Sequence, residues 1–131
     1  MFKISYKDLR TESLHRAIQK ISHSTSYKNI AKLKKVAALV KAMDYSILKT
    51  QKEWVNLASK YIKKDVEKGV FLIDKTGPTW LEGVDPILAE KELDEFSERE
   101  AIINAEQITA HDIETVELCP SDLVALNAVL K

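Results

Sequence analysis

Glycine and proline are missing from the first 68 residues; all three of each lie between Gly69 and Pro120. In a helix interior they cost about 1 and about 3 kcal/mol respectively relative to alanine. The N-terminal half is therefore free to be helical throughout. Cysteine is reduced to Cys119, which excludes an internal disulfide scaffold. No apolar run approaches the ~20 residues that span a bilayer. No uninterrupted apolar stretch follows the first charge in Met1-Phe2-Lys3-Ile4-Ser5-Tyr6, so neither a signal peptide nor a membrane association is expected. The expected setting is a cytoplasm, or a particle assembled in one.

Net charge is also lacking, with 20 Lys+Arg against 20 Asp+Glu. The average hides a split. Residues 1–69 carry 16 basic and 6 acidic side chains, a balance of +10, and residues 70–131 carry 4 and 14, a balance of −10. Three arrangements follow from that split. The acidic half folds back on the basic half or both are simply solvated, one copy's acidic region meets the next copy's basic region, or the basic half binds nucleic acid.

What is present is an ordinary globular composition: 131 residues, 45% apolar and 31% charged. This fits one domain over 1–131 and excludes disorder along the whole chain. Phe2, Ile4 and Tyr6 alternate with Lys3, Ser5 and Lys7, the period of a short strand. Leu14, Ala17, Ile18 and Ile21 have helical spacing. Ser22-His23-Ser24-Thr25-Ser26 is a polar break whose hydroxyls can cap the next helix.

The strongest pattern comes next. Leu33, Val40, Ile47, Trp54 and Tyr61 recur every seven residues, with Val36, Met43 and Leu57 three positions on and Thr50 as the polar exception. A helix from Tyr27 to Lys68 is expected, about 60 Å long. A break near Asp44–Ser46 or Lys49–Gln51 is compatible with the pattern. The flanking Ala37, Leu39, Ser46 and Ala58 are not regular opposite charges, which favours packing within a bundle over a dimer seam. Lys63, Lys64 and Gly69 read as its end.

Val70-Phe71-Leu72-Ile73 reads as a strand and Asp74 to Pro78 as a turn. Asp85-Pro86 starts a helix with Leu88, Ala89, Leu93 and Phe96 inward. An extended segment is expected over Ala105–Ala110. Pro120-Ser121-Asp122 opens a last helix with Leu123, Leu126 and Leu130 inward. The fold class is mainly α, α+β with minor strands: a helical bundle with one long heptad helix, and short strands near the N-terminus and in the C-terminal half.

Chemistry finds no constellation. His15, His23 and His111 lie apart, without cysteine partners at zinc-ligand spacing. His111-Asp112 lacks a nucleophile motif nearby, and three scattered glycines cannot build a phosphate loop. Catalytic, metal and cofactor-binding residues are all expected to be none, and no cofactor is expected. The carboxylates Glu90, Glu92, Asp94, Glu95, Glu98 and Glu100 read as a solvated helix face or a docking face for a basic partner. Lys28, Lys32, Lys34, Lys35 and Lys41 read as a lysine-rich solvated helix face or a nucleic-acid-binding face. Trp54 reads as core. Trp80 lies in the Gly/Pro-rich segment and reads as a cap on the core or as a binding hot spot. The candidate partner contacts are Trp80, Glu92, Glu95, Lys28, Lys32 and Lys35.

Two stretches resemble a small family of proteins of unknown function from tailed phages and prophages. Ser26-Tyr27-Lys28-Asn29-Ile30-Ala31-Lys32-Leu33-Lys34-Lys35 is similar to its S-Y-k-x-A-k-L-k-k helix start. Leu118-Cys119-Pro120-Ser121-Asp122-Leu123-Val124-Ala125-Leu126 is similar to its closing L-S-P-x-D-L-x-A-L, with Cys119 in place of the serine. The resemblance implies a phage origin, with the host cytoplasm or the virion as location, and a non-enzymatic role. The expected function is a virion-associated or virion-assembly protein acting through contacts with itself, another virion protein or a host protein. Alternatives are a binder or inhibitor of a host protein, and a nucleic-acid-binding accessory protein.

Overall fold

Alternation at the N-terminus does produce a strand. In the computed structural model, which describes residues 1–131, β1 (Phe2–Ser5) pairs antiparallel with a distant segment, Glu100–Ile103. Phe2 faces Ile103 and Ile4 faces Ala101, so the apolar members of both strands share the inner face. The Ser5 side chain then accepts from the Asp8 N–H at 3.1 Å and starts α1 (Tyr6–Leu9), one turn long. Helix α2 (Glu12–His23) buries Leu14, Ala17, Ile18 and Ile21, the four residues whose spacing marked it.

Helix α3 (Ile30–Ala58) is the axis of the molecule. The Asn29 side chain caps it by accepting from the Ala31 and Lys32 N–H groups. Its 29 residues give a length of about 43 Å. It runs unbroken through both positions where a break was compatible with the sequence, and it stops ten residues before the expected Lys68. The early stop has a tertiary cause. Residues 61–65 leave the helix to bond with later backbone: the Lys63 N–H donates to Thr79 O and its carbonyl accepts from Leu72, both at 2.8 Å, while the Leu81 N–H donates to Tyr61 O. Isolated bridges join Ile62 to Trp80 and Lys64 to Phe71. The expected strand over Val70–Ile73 is correspondingly reduced. Only Ile73–Asp74 (β2) pairs regularly, with Gly77–Pro78 (β3).

The buried face of α3 is broader than a heptad seam. Val36, Leu39, Val40, Met43, Ser46, Ile47, Thr50 and Ala58 are buried, whereas Leu33 is 45% exposed and Tyr61 lies beyond the helix. A wide apolar face with period 3.6 belongs to a helix packed into a globular core, not to a coiled coil.

Asp85 caps α4 (Pro86–Glu98) by accepting from the Ile87 N–H at 3.0 Å, with Pro86 in the first turn. Ala89, Leu93 and Phe96 are buried as expected, but Leu88 is 53% exposed. Strand β4 (Glu100–Ile103) follows at once. The extended pairing thus falls earlier than the expected Ala105–Ala110, because β1 fixes its register. A single 3₁₀ turn spans Ala110–Ile113, and α5 (Pro120–Leu126) packs on α2. Leu126 in α5 and Val129 just beyond its end are fully buried; Leu123, expected inward, is 44% exposed. No helix is long and apolar enough to cross a membrane.

Two apolar clusters result. The larger gathers α2, α3, α5, β1, β4 and the 3₁₀ turn. The smaller comprises Ala58, Ile62 and Leu93, covered by Trp54, Leu57, Tyr61, Phe71 and Trp80. An aromatic row joins them: Tyr6 meets Phe96 edge-on at 5.0 Å and Phe96 meets Trp54 at 5.9 Å. The Arg10 guanidinium lies 3.5 Å over the Trp54 ring, a cation–π contact.

Candidate functional site

The sites of charge pairing decide which surfaces remain for a partner. Every lysine–carboxylate pair in the fold joins the basic half to the acidic half. Lys20 Nζ meets Asp122 at 2.6 Å, Lys35 meets Asp112 at 3.0 Å and Lys32 meets Glu114 at 3.5 Å. Part of the sequence's charge split is therefore spent inside one chain.

The two aspartates are built into turns. Asp112 stands three residues after Thr109, accepts from its backbone N–H at 2.8 Å, and Thr109 accepts in return from the Asp112 N–H. Burial works against its charge, but the Thr109 and Lys35 hydrogen bonds outweigh burial and hold its carboxyl below the ordinary range. Asp122 does the same for α5, accepting from the Cys119 N–H at 2.9 Å and its thiol at 3.1 Å. The Lys20 hydrogen bond, then the Cys119 bonds, bring Asp122 down to about 2.

Lys32 and Lys35 are therefore not free contacts. Both are half-buried and ion-paired with the C-terminal half. Lys28 is exposed, just before the α3 cap. Trp80 is half-buried on the smaller cluster, opposite Ile62. Glu92 is half-buried and accepts the Tyr61 hydroxyl; that hydrogen bond, then burial, raises the Tyr61 pKa. Glu95 is exposed and unpaired. The structure brings none of these six together into one site.

The three histidines go separate ways. His15 donates from its ring to the Leu9 carbonyl, His23 bonds the Gln19 side chain and His111 pairs with Glu114. No three metal-ligating side chains converge.

What remains is two helix faces. On the outer side of α3, Ile30 is 69% exposed, Leu48 59% and Val55 41%. With Ala37 they follow spacings of 7, 11 and 7, each of which returns to within about 20° on a helix. Lys34, Lys41 and Lys52 run beside them with the same 7 and 11 spacing, exposed and unpaired. Tyr45 and Ile102, both largely exposed, flank a shallow groove over Ala38 and Ala42. The outer side of α4 is the opposite in sign. Glu90, Asp94, Glu95 and Glu98 are exposed without an ion pair, Lys91 is the one cation among them, and Ile87 and Leu88 stand exposed at its start. The sequence carried a signal for the apolar stripe on α3 in its 7-and-11 recurrence, but the stronger inward stripe masks it.

Searches against family models, curated proteins and solved structures give no match to this chain.

Proposed function

We propose that this chain is a non-enzymatic phage virion-associated or virion-assembly protein that acts through protein–protein contacts. It is made in the host cytoplasm and used in, or for, the particle. The observation that carries this reading is the pair of unpartnered faces, one apolar and lysine-bearing on α3, the other acidic on α4. Rigid helices that present apolar residues rimmed by charge suit docking, where burial supplies affinity and charge sets partner and register. The resemblance of residues 26–35 and 118–126 to the phage family supplies the setting.

The test is particle content. A tagged copy expressed during infection is expected in purified particles or in assembly intermediates, detected by mass spectrometry. Absence from both would sink the proposal.

A second reading is a phage-encoded binder of a host protein through the α4 acidic face. It predicts capture of a basic partner from uninfected host lysate that is lost in Asp94→Lys/Glu98→Lys. The nucleic-acid reading loses support from the engagement of Lys32 and Lys35 with carboxylates.

A further inference from the structure

Once the internal ion pairs are set aside, exposed lysines predominate on the outer face of α3 and exposed carboxylates on that of α4, with Lys91 the one cation among the latter. Lys34, Lys41 and Lys52 line the outer face of α3; Glu90, Asp94, Glu95 and Glu98 line that of α4. Both faces also expose apolar residues, Leu48 and Val55 on one and Ile87 and Leu88 on the other. We infer that these two faces are each other's partners between copies: α4 of one chain docks antiparallel on the outer face of α3 of a second chain. This deepens the protein-contact reading, on which it rests, by naming the partner as another copy.

The spacing of the groups supports the match. Leu48 and Lys41 are seven residues apart, as are Ile87 and Asp94. Each separation is about 10.5 Å along a helix. In an antiparallel pairing, Ile87 seated on Leu48 brings Asp94 opposite Lys41. Glu98 then lies opposite Ala37, within side-chain reach of Lys34. Val55, seven residues past Leu48, lies about 10.5 Å beyond that contact, past the Asp85 cap at the start of α4. Antiparallel packing also sets the helix macrodipoles in their favourable sense. A parallel arrangement from the same apolar contact places Asp94 opposite Val55 and leaves Lys41 without a partner.

The contact is heterologous, since the two patches differ. It therefore either occurs twice across a two-fold axis or propagates into a ring or a filament. The area set by α4, 13 residues long, is small against the ~800 Å² per partner of a standard interface. Association is accordingly expected to be weak, concentration-dependent and sensitive to salt. At 1 M salt the screening length falls to about 3 Å.

Sedimentation velocity on the full chain tests this. At low salt, mass is expected to rise with concentration to that of two or more chains, and to return to one chain at 1 M salt. Lys34→Glu/Lys41→Glu and Asp94→Lys/Glu98→Lys, all at exposed positions, are each expected to remain at one chain. Mixing the two variants is expected to restore association, because each supplies the charge the other now lacks. That restoration also shows that both variants fold. A one-chain mass for the wild type at every concentration and salt would overturn the inference, as would variants that associate like the wild type. So would binding of a single-stranded DNA oligonucleotide by wild-type monomer that Lys34→Glu/Lys41→Glu abolishes, which would give the lysine face to nucleic acid. Particle content is measured separately, so failure here is distinguishable from failure of the broader reading.

Discussion

At the scale of single residues, two aspartates do more for this fold than any catalytic-looking group. Asp122 sits three residues into α5 and reaches back to the Cys119 N–H while holding Lys20 at 2.6 Å. One carboxylate thus caps a seven-residue helix and ties it to α2. A helix so short has little stability of its own, so its cap and its packing must hold it. The pH consequence follows from the depressed pKa, about 2 against an ordinary 3.8. The stability this group contributes is fully present above the ordinary value and is lost as pH falls towards the folded one. Asp122→Asn is expected to lower the thermal midpoint at pH 7, with the gap to wild type closing between about pH 4 and pH 2. Thermal melts across that range decide it; a gap that stays constant would mean that charge on this carboxyl is irrelevant.

At the scale of elements, α3 divides into two faces with different jobs, and substitutions should separate them. Leu39 is fully buried, and Leu39→Ala is expected to cost about 2–5 kcal/mol. Leu48 is 59% exposed, and Leu48→Gln is expected to change stability by no more than about 0.5 kcal/mol. Urea midpoints compare them, and equal costs would refute the assigned rotation of the helix. Element stability is also uneven. Residues 59–84 close over a cluster of only three buried side chains, against sixteen in the main core. Few buried contacts mean a low free energy of local opening. Trp80→Ala is expected to speed amide exchange at Ile62, Lys63 and Leu72 while leaving Met43 and Ile47 protected. Uniform acceleration across all five would show that the segment opens only with the whole molecule.

The elements were unequally legible in the sequence, for identifiable reasons. Helices with their own caps announced themselves: Asp85-Pro86 for α4 and Pro120-Ser121-Asp122 for α5 are local chemistry. The end of α3 was not local. Lys60 to Lys68 contains no breaker, and only pairing of residues 61–65 with 70–81 overrides its helical propensity. Strand β4 has no alternation that stands apart from its neighbours, and its partner lies almost a hundred residues away at β1. The ion pairing of single lysines was the least legible feature. Lys32 and Lys35 look like any exposed lysine until the fold brings Glu114 and Asp112 to them.

At the scale of the whole molecule, the +10 and −10 halves are interleaved rather than stacked as units. The first strand pairs with Glu100–Ile103, α2 packs on α5, and the large core draws Leu14 and Met43 from one half and Ile108 and Leu126 from the other. The last residue is tied in too, its N–H donating to Ile108 O at 2.8 Å. Neither half can bury its apolar surface alone, so folding should be one cooperative event despite the composition boundary at Gly69. A fragment of residues 1–69 is expected to retain some helix from α3 by circular dichroism but to show no cooperative thermal transition. Adding residues 70–131 in equal amount is expected to restore that transition and to shift the fluorescence of Trp54 as Phe96 packs against it. Recovery should be weaker at high salt, because encounter between fragments of opposite charge is steered by fields that salt screens. A sharp transition in the isolated 1–69 fragment would instead make the basic half an independent folding unit, with the acidic half an accessory docked upon it.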